Sequence, residues 1–230
     1  MKNSIEREQN EASFNSAESE NFRTKCKVLL INGSAHPKGC TARAFDEVEK
    51  TLHEQGIETE RVNIGNKAIR GCIGCYQCQT KGECVFKDQV NEVAPLFEQA
   101  DGIIIGTPTY YAHPNGGLIA FLDRLFFSTP FDKAMKVGAT VVASRRAGST
   151  SAFDDINKYF TMSAMPIASS TYWNEVHGFS AEDVEQDLEG LQTMRNLGLS
   201  MAFLLKSIAL GREQIGQPEI KADIRTHFIR

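Results

Sequence analysis

The sequence predicts a doubly wound α/β domain built on a parallel sheet. Short apolar, β-rich runs alternate along the chain with segments of helical periodicity. One run, Gly102-Ile103-Ile104-Ile105-Gly106, is continuously apolar, as expected of a central parallel strand covered on both faces. Turn-rich loops follow three of the runs, at 33–41, 107–113 and 144–150. Open α/β sheets bind ligands at the carboxyl ends of their strands, so these loops are the privileged positions.

Each element has its own signal. Residues 26–32 form the first apolar run. From Thr41 to Gln55, Ala44, Val48 and Leu52 recur four apart, a helical stripe that Gly56 ends. Residues 57–64 alternate loosely and read as a second strand near a sheet edge. Asp88 is placed to cap a helix running to about Gln99, with Val90, Val93, Ala94 and Phe97 inward. The third strand is 102–106, and a helix is expected from about Asn115 to Phe127. The fourth strand is 137–143, followed by a helix over 151–162. Residues 166–172 read as the fifth strand. A single long amphipathic helix is expected over 181–210, with Leu188, Leu191, Met194, Leu197, Met201 and Leu204 on one side.

Composition bounds the function. The chain has 230 residues, a formal net charge of -4 and 41% hydrophobic residues, ordinary values for a globular domain. There is no basic stripe, so nucleic acid is not an expected partner. No apolar run reaches the roughly 18 residues of a membrane span. Residues 1–24 are polar, with no signal-peptide core, and read as a disordered tail. A domain is expected over 25–212, interrupted by a cysteine-bearing loop at 64–87 and followed by an extension at 213–230. The expected compartment is the cytoplasm, where clustered cysteines are more often metal ligands or redox thiols than structural disulfides.

The first privileged loop, Gly33-Ser34-Ala35-His36-Pro37-Lys38-Gly39-Cys40-Thr41, runs from a strand into a helix. Unpaired N–H groups and the helix dipole favour an anion there. The loop has neither the Walker pattern nor the G-x-G-x-x-G dinucleotide pattern. A single terminal phosphate, as on FMN, fits better, with an ordinary polar loop as the alternative.

The loop after the second strand holds Cys72, Cys75, Cys78 and Cys84, spaced C-x2-C-x2-C-x5-C. A [4Fe–4S] cluster takes four thiolates, and the compact spacing suits it. A structural zinc also accepts four cysteines but more often uses two separated knuckles. Free thiols or a labile disulfide are the third reading. The four cysteines alone leave these alternatives open.

Several motifs in order carry a resemblance. G-S-x-[HR]-x-x-G-x-[ST] follows the first strand and [ST]-P-x-Y the third, and L-x-x-F-x-D-R follows as Leu118-Ile119-Ala120-Phe121-Leu122-Asp123-Arg124. Together they resemble the NAD(P)H-dependent FMN reductase family of the flavodoxin-like superfamily, over roughly Cys26 to Lys206. The cysteine insertion resembles that family's iron–sulfur flavoprotein branch. The resemblance implies a three-layer sandwich on a five-stranded parallel sheet of order 2-1-3-4-5. It assigns FMN phosphate to Ser34, His36, Lys38, Gly39, Cys40 and Thr41, largely through main-chain N–H groups. It lays the isoalloxazine on Pro108, Thr109, Tyr110 and Tyr111. It brings Ser144, Arg145, Arg146 and Gly148 to the pyrimidine edge of the ring. Rim packing for the tyrosines, a solvated pair for the arginines and loop stabilisation for His36 are the structural alternatives.

By the same resemblance, NAD(P)H is the electron donor and a quinone, free flavin or other small electrophile the acceptor. The chemistry lies on FMN, with no side chain as catalyst. A homodimer or homotetramer is implied, with Trp173 and the cysteine loop as candidates to meet a neighbour's flavin. If the cysteines hold a cluster, one-electron exchange with a ferredoxin-like partner follows. A flavodoxin-like carrier without nicotinamide chemistry and a redox sensor built on the cysteine loop are the other readings.

Overall fold

The computed structural model describes residues 25–221 together with 224, 226 and 228. The expected tail, residues 1–24, lies outside the described residues, as do 222, 223, 225, 227, 229 and 230 of the expected extension. In chain order the elements are β1 (Lys27–Asn32), α1 (Cys40–Glu54), β2 (Glu58–Asn63), α2 (Cys78–Lys81), α3 (Gln89–Gln99) and β3 (Gly102–Pro108). There follow α4 (Gly116–Ser128), β4 (Val137–Ser144), α5 (Ser149–Met162), β5 (Glu175–His177), α6 (Ala181–Val184) and α7 (Leu188–Ile215).

The five strands form a parallel sheet of order β2-β1-β3-β4-β5, as the resemblance implied. Strand periodicity divides the core in two. Val28 and Leu30 of β1 face one layer with Ile104 and the α1 and α7 residues Phe45, Val48, Leu52, Met194 and Met201. Leu29 and Ile31 face the other with Ile103, Ile105 and the α3, α4 and α5 residues Val93, Phe97, Phe121, Leu122 and Phe160. β3 and β4 are buried on both faces, which explains the unbroken apolar run Gly102–Gly106 of β3 and the largely apolar sequence of β4. The edge strand β2 is half-exposed, which explains its weaker pattern.

Two expectations need correction. The fifth strand is Glu175–His177, not 166–172. Pro166 and Ala168 make one bridge-like pair of bonds to Gly138, each 2.8 Å, with Ile167 opposite Gly138. The chain then leaves the sheet through the polar run Ser169-Ser170-Thr171 and returns where Glu175 lies opposite Val142. Likewise, the long helix over 181–210 is two helices. A reciprocal Ser180–Asp183 capping box starts α6. Asp187 then leaves helical geometry, with ψ 73°, and caps α7 by accepting from the Gly190 N–H at 2.9 Å. The same carboxylate accepts from the His177 N–H at 2.6 Å, fixing α7 to β5. Among the described residues no helix is long and apolar enough to cross a membrane.

Candidate functional site

The carboxyl ends of β1, β3, β4 and β5 surround a cavity of about 850 Å³. This lies within the range of small-molecule and cofactor sites. The β1–α1 loop forms one wall through Ser34, His36, Pro37, Lys38, Gly39, Cys40 and Thr41. Pro108, Thr109 and Tyr110 form a second, and Ala143, Ser144 and Arg145 a third. The β5–α6 loop, Gly178 to Glu182, completes the ring.

The β1–α1 loop is held by its own polar groups. The Ser34 N–H donates to Asn32 Oδ1 at 3.0 Å, the His36 N–H to Ser34 Oγ at 3.1 Å, and the Gly39 N–H to the His36 carbonyl at 3.0 Å. Asn115 joins this loop to the next one: its Nδ2 donates to the Gly33 carbonyl at 2.9 Å, while its own N–H donates to Thr107 Oγ1 at 3.0 Å. Since those loop N–H groups are already engaged, anion-binding capacity rests on the helix that follows. The α1 ladder begins with the Arg43 N–H on the Gly39 carbonyl, so the N–H groups of Cys40, Thr41 and Ala42 lie ahead of it. No side chain caps this terminus and no acidic residue occupies its first turn.

Three hydroxyls around the cavity, Thr41 Oγ1, Thr109 Oγ1 and Ser144 Oγ, are buried without a hydrogen-bond partner. Buried polar atoms left unpaired are costly, so three on one cavity, from the first turn of α1 and the ends of β3 and β4, identify a place shaped for a polar ligand. They and the uncapped helix fit FMN: the α1 terminus suits its phosphate, and the β3 and β4 loops offer polar groups to a flat ring.

Tyr111, Arg146 and Gly148 stand apart from the wall. The turn from Tyr110 to His113 is closed by two backbone hydrogen bonds, 2.9 and 3.0 Å. Its central residues Tyr111 and Ala112 have φ of 53° and 62°, so Tyr111 is turned fully to solvent. Gly148 (φ 91°) lies beneath the turn; an added Cβ would come within 2.9 Å of Ala112. Its role here is to let the β4 loop and the tyrosine turn meet. Arg145 and Arg146 are both exposed, and Arg145 alone of the two lines the cavity.

The β5–α6 wall was not foreseen. It is docked by the Cys40 thiol, whose sulfur lies 3.4 Å from the Gly178 carbonyl and 3.2 Å from that of Ser180. Burial pushes this thiol's pKa upward, which keeps it a donor. Arg43 of α1 pairs with Glu185 just beyond α6, pinning the same wall.

The four cysteines of the insertion line a second, small cavity of about 20 Å³, together with Tyr76, Phe86, Arg124, Phe127 and Ser128. Cys72 and Cys75 are exposed, Cys78 is half-buried and Cys84 is buried. A single zinc needs four sulfurs converging at about 2.3 Å. Among the described residues no three metal-ligating side chains converge in that way. The donor set, four thiols around one cavity without a carboxylate in its lining, is of the chemical type that either zinc or an iron–sulfur cluster takes. Trp173 stacks edge-on with Tyr172, centroids 4.8 Å apart, at a separate surface groove beside Asn174.

Comparison with known proteins bears on both cavities. The sequence model described as NADPH-dependent FMN reductase matches residues 26–178. An iron–sulfur flavoprotein of Methanocaldococcus jannaschii is 34% identical over 79% of this chain and 98% of its own length. An iron–sulfur flavoprotein of Methanosarcina thermophila is 26% identical over 82% of this chain and 100% of its own. Among solved structures, RosB with a bound riboflavin-phosphate derivative superposes with a TM-score of 0.63 at 15% identity, covering 89% of this chain and 94% of RosB. An archaeal flavodoxin gives 0.54 at 14% identity, covering 78% and 99%. At such identities the structures establish likeness of fold.

Proposed function

The chain belongs to the NADPH-dependent FMN reductase family, within the flavodoxin-like fold and alongside the iron–sulfur flavoproteins, and we propose that it is an NAD(P)H-dependent reductase that passes electrons to a small electrophile. The family makes it an FMN-dependent oxidoreductase; the donor and the acceptor are the proposal. The observation that carries the reading is the cavity itself. It joins an uncapped α1 terminus to three partnerless hydroxyls at the carboxyl end of a parallel sheet.

In this reading the N–H groups of Cys40, Thr41 and Ala42 and the Thr41 hydroxyl hold the phosphate. Lys38 adds charge at the rim. Thr109, Tyr110, Ser144 and Arg145 orient the ring, with Arg145 placed to offset negative charge at its edge. When bound, FMN supplies hydride acceptance from a nicotinamide and delivery of electrons to the acceptor. The protein's share is binding, orientation and exclusion of water. The test is flavin content, followed by anaerobic oxidation of NADPH and NADH with a quinone acceptor. Flavin-loaded protein that oxidises neither nucleotide would leave a carrier in place of a reductase.

A second reading has its own support. The four thiols share one cavity, and the curated relatives are named iron–sulfur flavoproteins. A cavity of about 20 Å³ holds little more than a water molecule. Admitting a [4Fe–4S] cluster therefore requires the surface segment with Cys72, Cys75 and Cys78 to move outward around Cys84. Such a cluster supplies one-electron exchange, suited to a ferredoxin-like partner. Iron and acid-labile sulfide near four per chain after anaerobic purification support this reading, and their absence after reconstitution removes it.

A further inference from the structure

The Asp-Arg pair that ends the L-x-x-F-x-D-R motif has no part in the flavin cavity; its arginine lies under the cysteine loop. Arg124 sits in α4 with 1% of its surface exposed, among the largest fully buried side chains in the protein. A guanidinium has five N–H donors in a fixed fork. All its nitrogens are engaged, with five acceptors around them. Nε donates to Cys84 Sγ at 3.2 Å. Nη1 donates to the Arg70 carbonyl at 3.1 Å and Asp88 Oδ2 at 2.7 Å. Nη2 donates to Asp88 Oδ1 at 2.8 Å and the Phe86 carbonyl at 3.4 Å.

These acceptors bracket the cysteine motif. Arg70 precedes Cys72 by two residues, while Phe86 and Asp88 follow Cys84. Two guanidinium groups lie against the Phe86 ring, those of Arg70 and Arg124, each 5.1 Å from its centroid. Asp88 also caps α3 through the Val90 N–H at 3.1 Å, so the fork is bound to a fixed helix end. Asn91 closes the same end: Cys84 donates its N–H to Asn91 Oδ1 at 3.0 Å, and its carbonyl accepts from Asn91 Nδ2 at 2.9 Å. Cys84 is thereby held on three sides, whereas Cys72 and Cys75 stand in solvent.

We propose that Arg124 is the positioning residue of the cysteine site: it fixes Cys84 as the anchor ligand and ties both ends of the loop before any metal arrives. The proposal rests on the reading of the four thiols as a cluster site. Its second consequence follows from the N–H···S bond. Hydrogen bonds to cluster sulfurs stabilise the more negative, reduced state and so raise the reduction potential. Arg124→Lys keeps the charge and loses the fork, which separates the hydrogen bond from simple electrostatics.

Two measurements test this on the full chain. In metal-free protein, iodoacetamide labelling read by mass spectrometry should find Cys84 at least tenfold faster in Arg124→Lys than in the unaltered chain, with Cys72 and Cys75 unchanged. Equal Cys84 rates in the two proteins overturn the proposal. After reconstitution with iron and sulfide, spectroelectrochemical titration should find a lower midpoint potential in Arg124→Lys; an unchanged potential removes the tuning role. If the unaltered chain takes up no iron, the cluster reading fails, and the labelling still decides whether Arg124 anchors Cys84. Should Arg124→Lys not fold, Asp88→Asn keeps the α3 cap while weakening the fork, and the same labelling applies with a smaller rise expected.

Discussion

Gly65→Ala is a compact test of how the cavity is built. Gly65 opens the long insertion, yet it lies against the β1–α1 loop. A Cβ there would sit 2.2 Å from the Ser34 carbonyl carbon and oxygen and 2.3 Å from the Gly33 oxygen. These are backbone atoms, which cannot swing aside as a side-chain tip can. Ordinary carbon contacts begin near 3.5 Å, so relief needs a displacement of roughly 1 Å. Overpacking of this kind typically costs about 1–3 kcal/mol of stability. The displaced loop leads into the α1 terminus, where the phosphate is expected to sit. Losing one hydrogen bond to a charged group costs about 1.5–3 kcal/mol, or roughly 10- to 150-fold in FMN affinity. The assay is fluorescence titration of flavin-free protein with FMN, alongside a thermal melt. Riboflavin, which lacks the phosphate, should lose much less affinity than FMN. An unchanged FMN Kd in a folded variant, or an equal loss for riboflavin, would refute the phosphate assignment.

Three further outcomes follow from the same structure. Thr41→Val removes a buried hydroxyl that has no partner, so the flavin-free protein should become more stable by about 1 kcal/mol while FMN binding weakens; a melt and a titration moving in the same direction contradict this. Burial alone would raise the pKa of the Glu47 carboxyl, but the hydrogen bonds from Arg195 and Arg43, 2.7 and 2.9 Å, outweigh it and hold the value below ordinary. Its contribution is therefore present above the unfolded value of about 4.3 and fades as pH falls through the lowered folded value. Glu47→Gln should cost about 1–3 kcal/mol at pH 7, with the deficit shrinking below about pH 4, as read by urea melts across that range. A pH-independent deficit would assign the loss to packing instead. Finally, burial raises the Cys40 thiol's pKa and two carbonyls lie within its reach, so Cys40 should alkylate far more slowly at pH 8 than exposed Cys72; comparable rates would mean that the β5–α6 wall is undocked.

Much of the fold was readable because the signals are local. Burial on both faces writes Ile103-Ile104-Ile105 as an unbroken run, and Asp88 announces α3 by a cap that involves only its own helix. The failures came where distant contacts override local pattern. Residues 166–172 look like a strand because Ile167 and Ala168 pack into opposite core layers, as strand neighbours do, yet pairing there is a single bridge. β5 has three residues, too few to show alternation. The break before α7 depends on Asp187 reaching both Gly190 and His177, the latter ten residues upstream.

The cavity divides in the same way. The β1–α1 loop and the loops after β3 and β4 are contiguous motifs after strands, so sequence order alone places them at one end of the sheet. The β5–α6 wall depends on Cys40 meeting Gly178 across 138 residues of sequence. Nothing in Gly178-Phe179-Ser180 signals a ligand; the available hint was the capping box of Ser180 and Asp183, which marks a helix start beyond a fifth strand end. Arg124 shows the opposite case. Its motif was visible, but an arginine within an apolar helix reads as a surface residue until its five acceptors are in place, and those come from segments 36 to 54 residues away. A buried guanidinium of this kind can be tolerated only when every donor is matched. That requirement binds the cysteine loop to α4, while Asn115, at the other end of the same helix, holds the Gly33 carbonyl beside the flavin cavity. One helix thus frames both sites, and its two polar anchors are what a reading of apolar periodicity passes over.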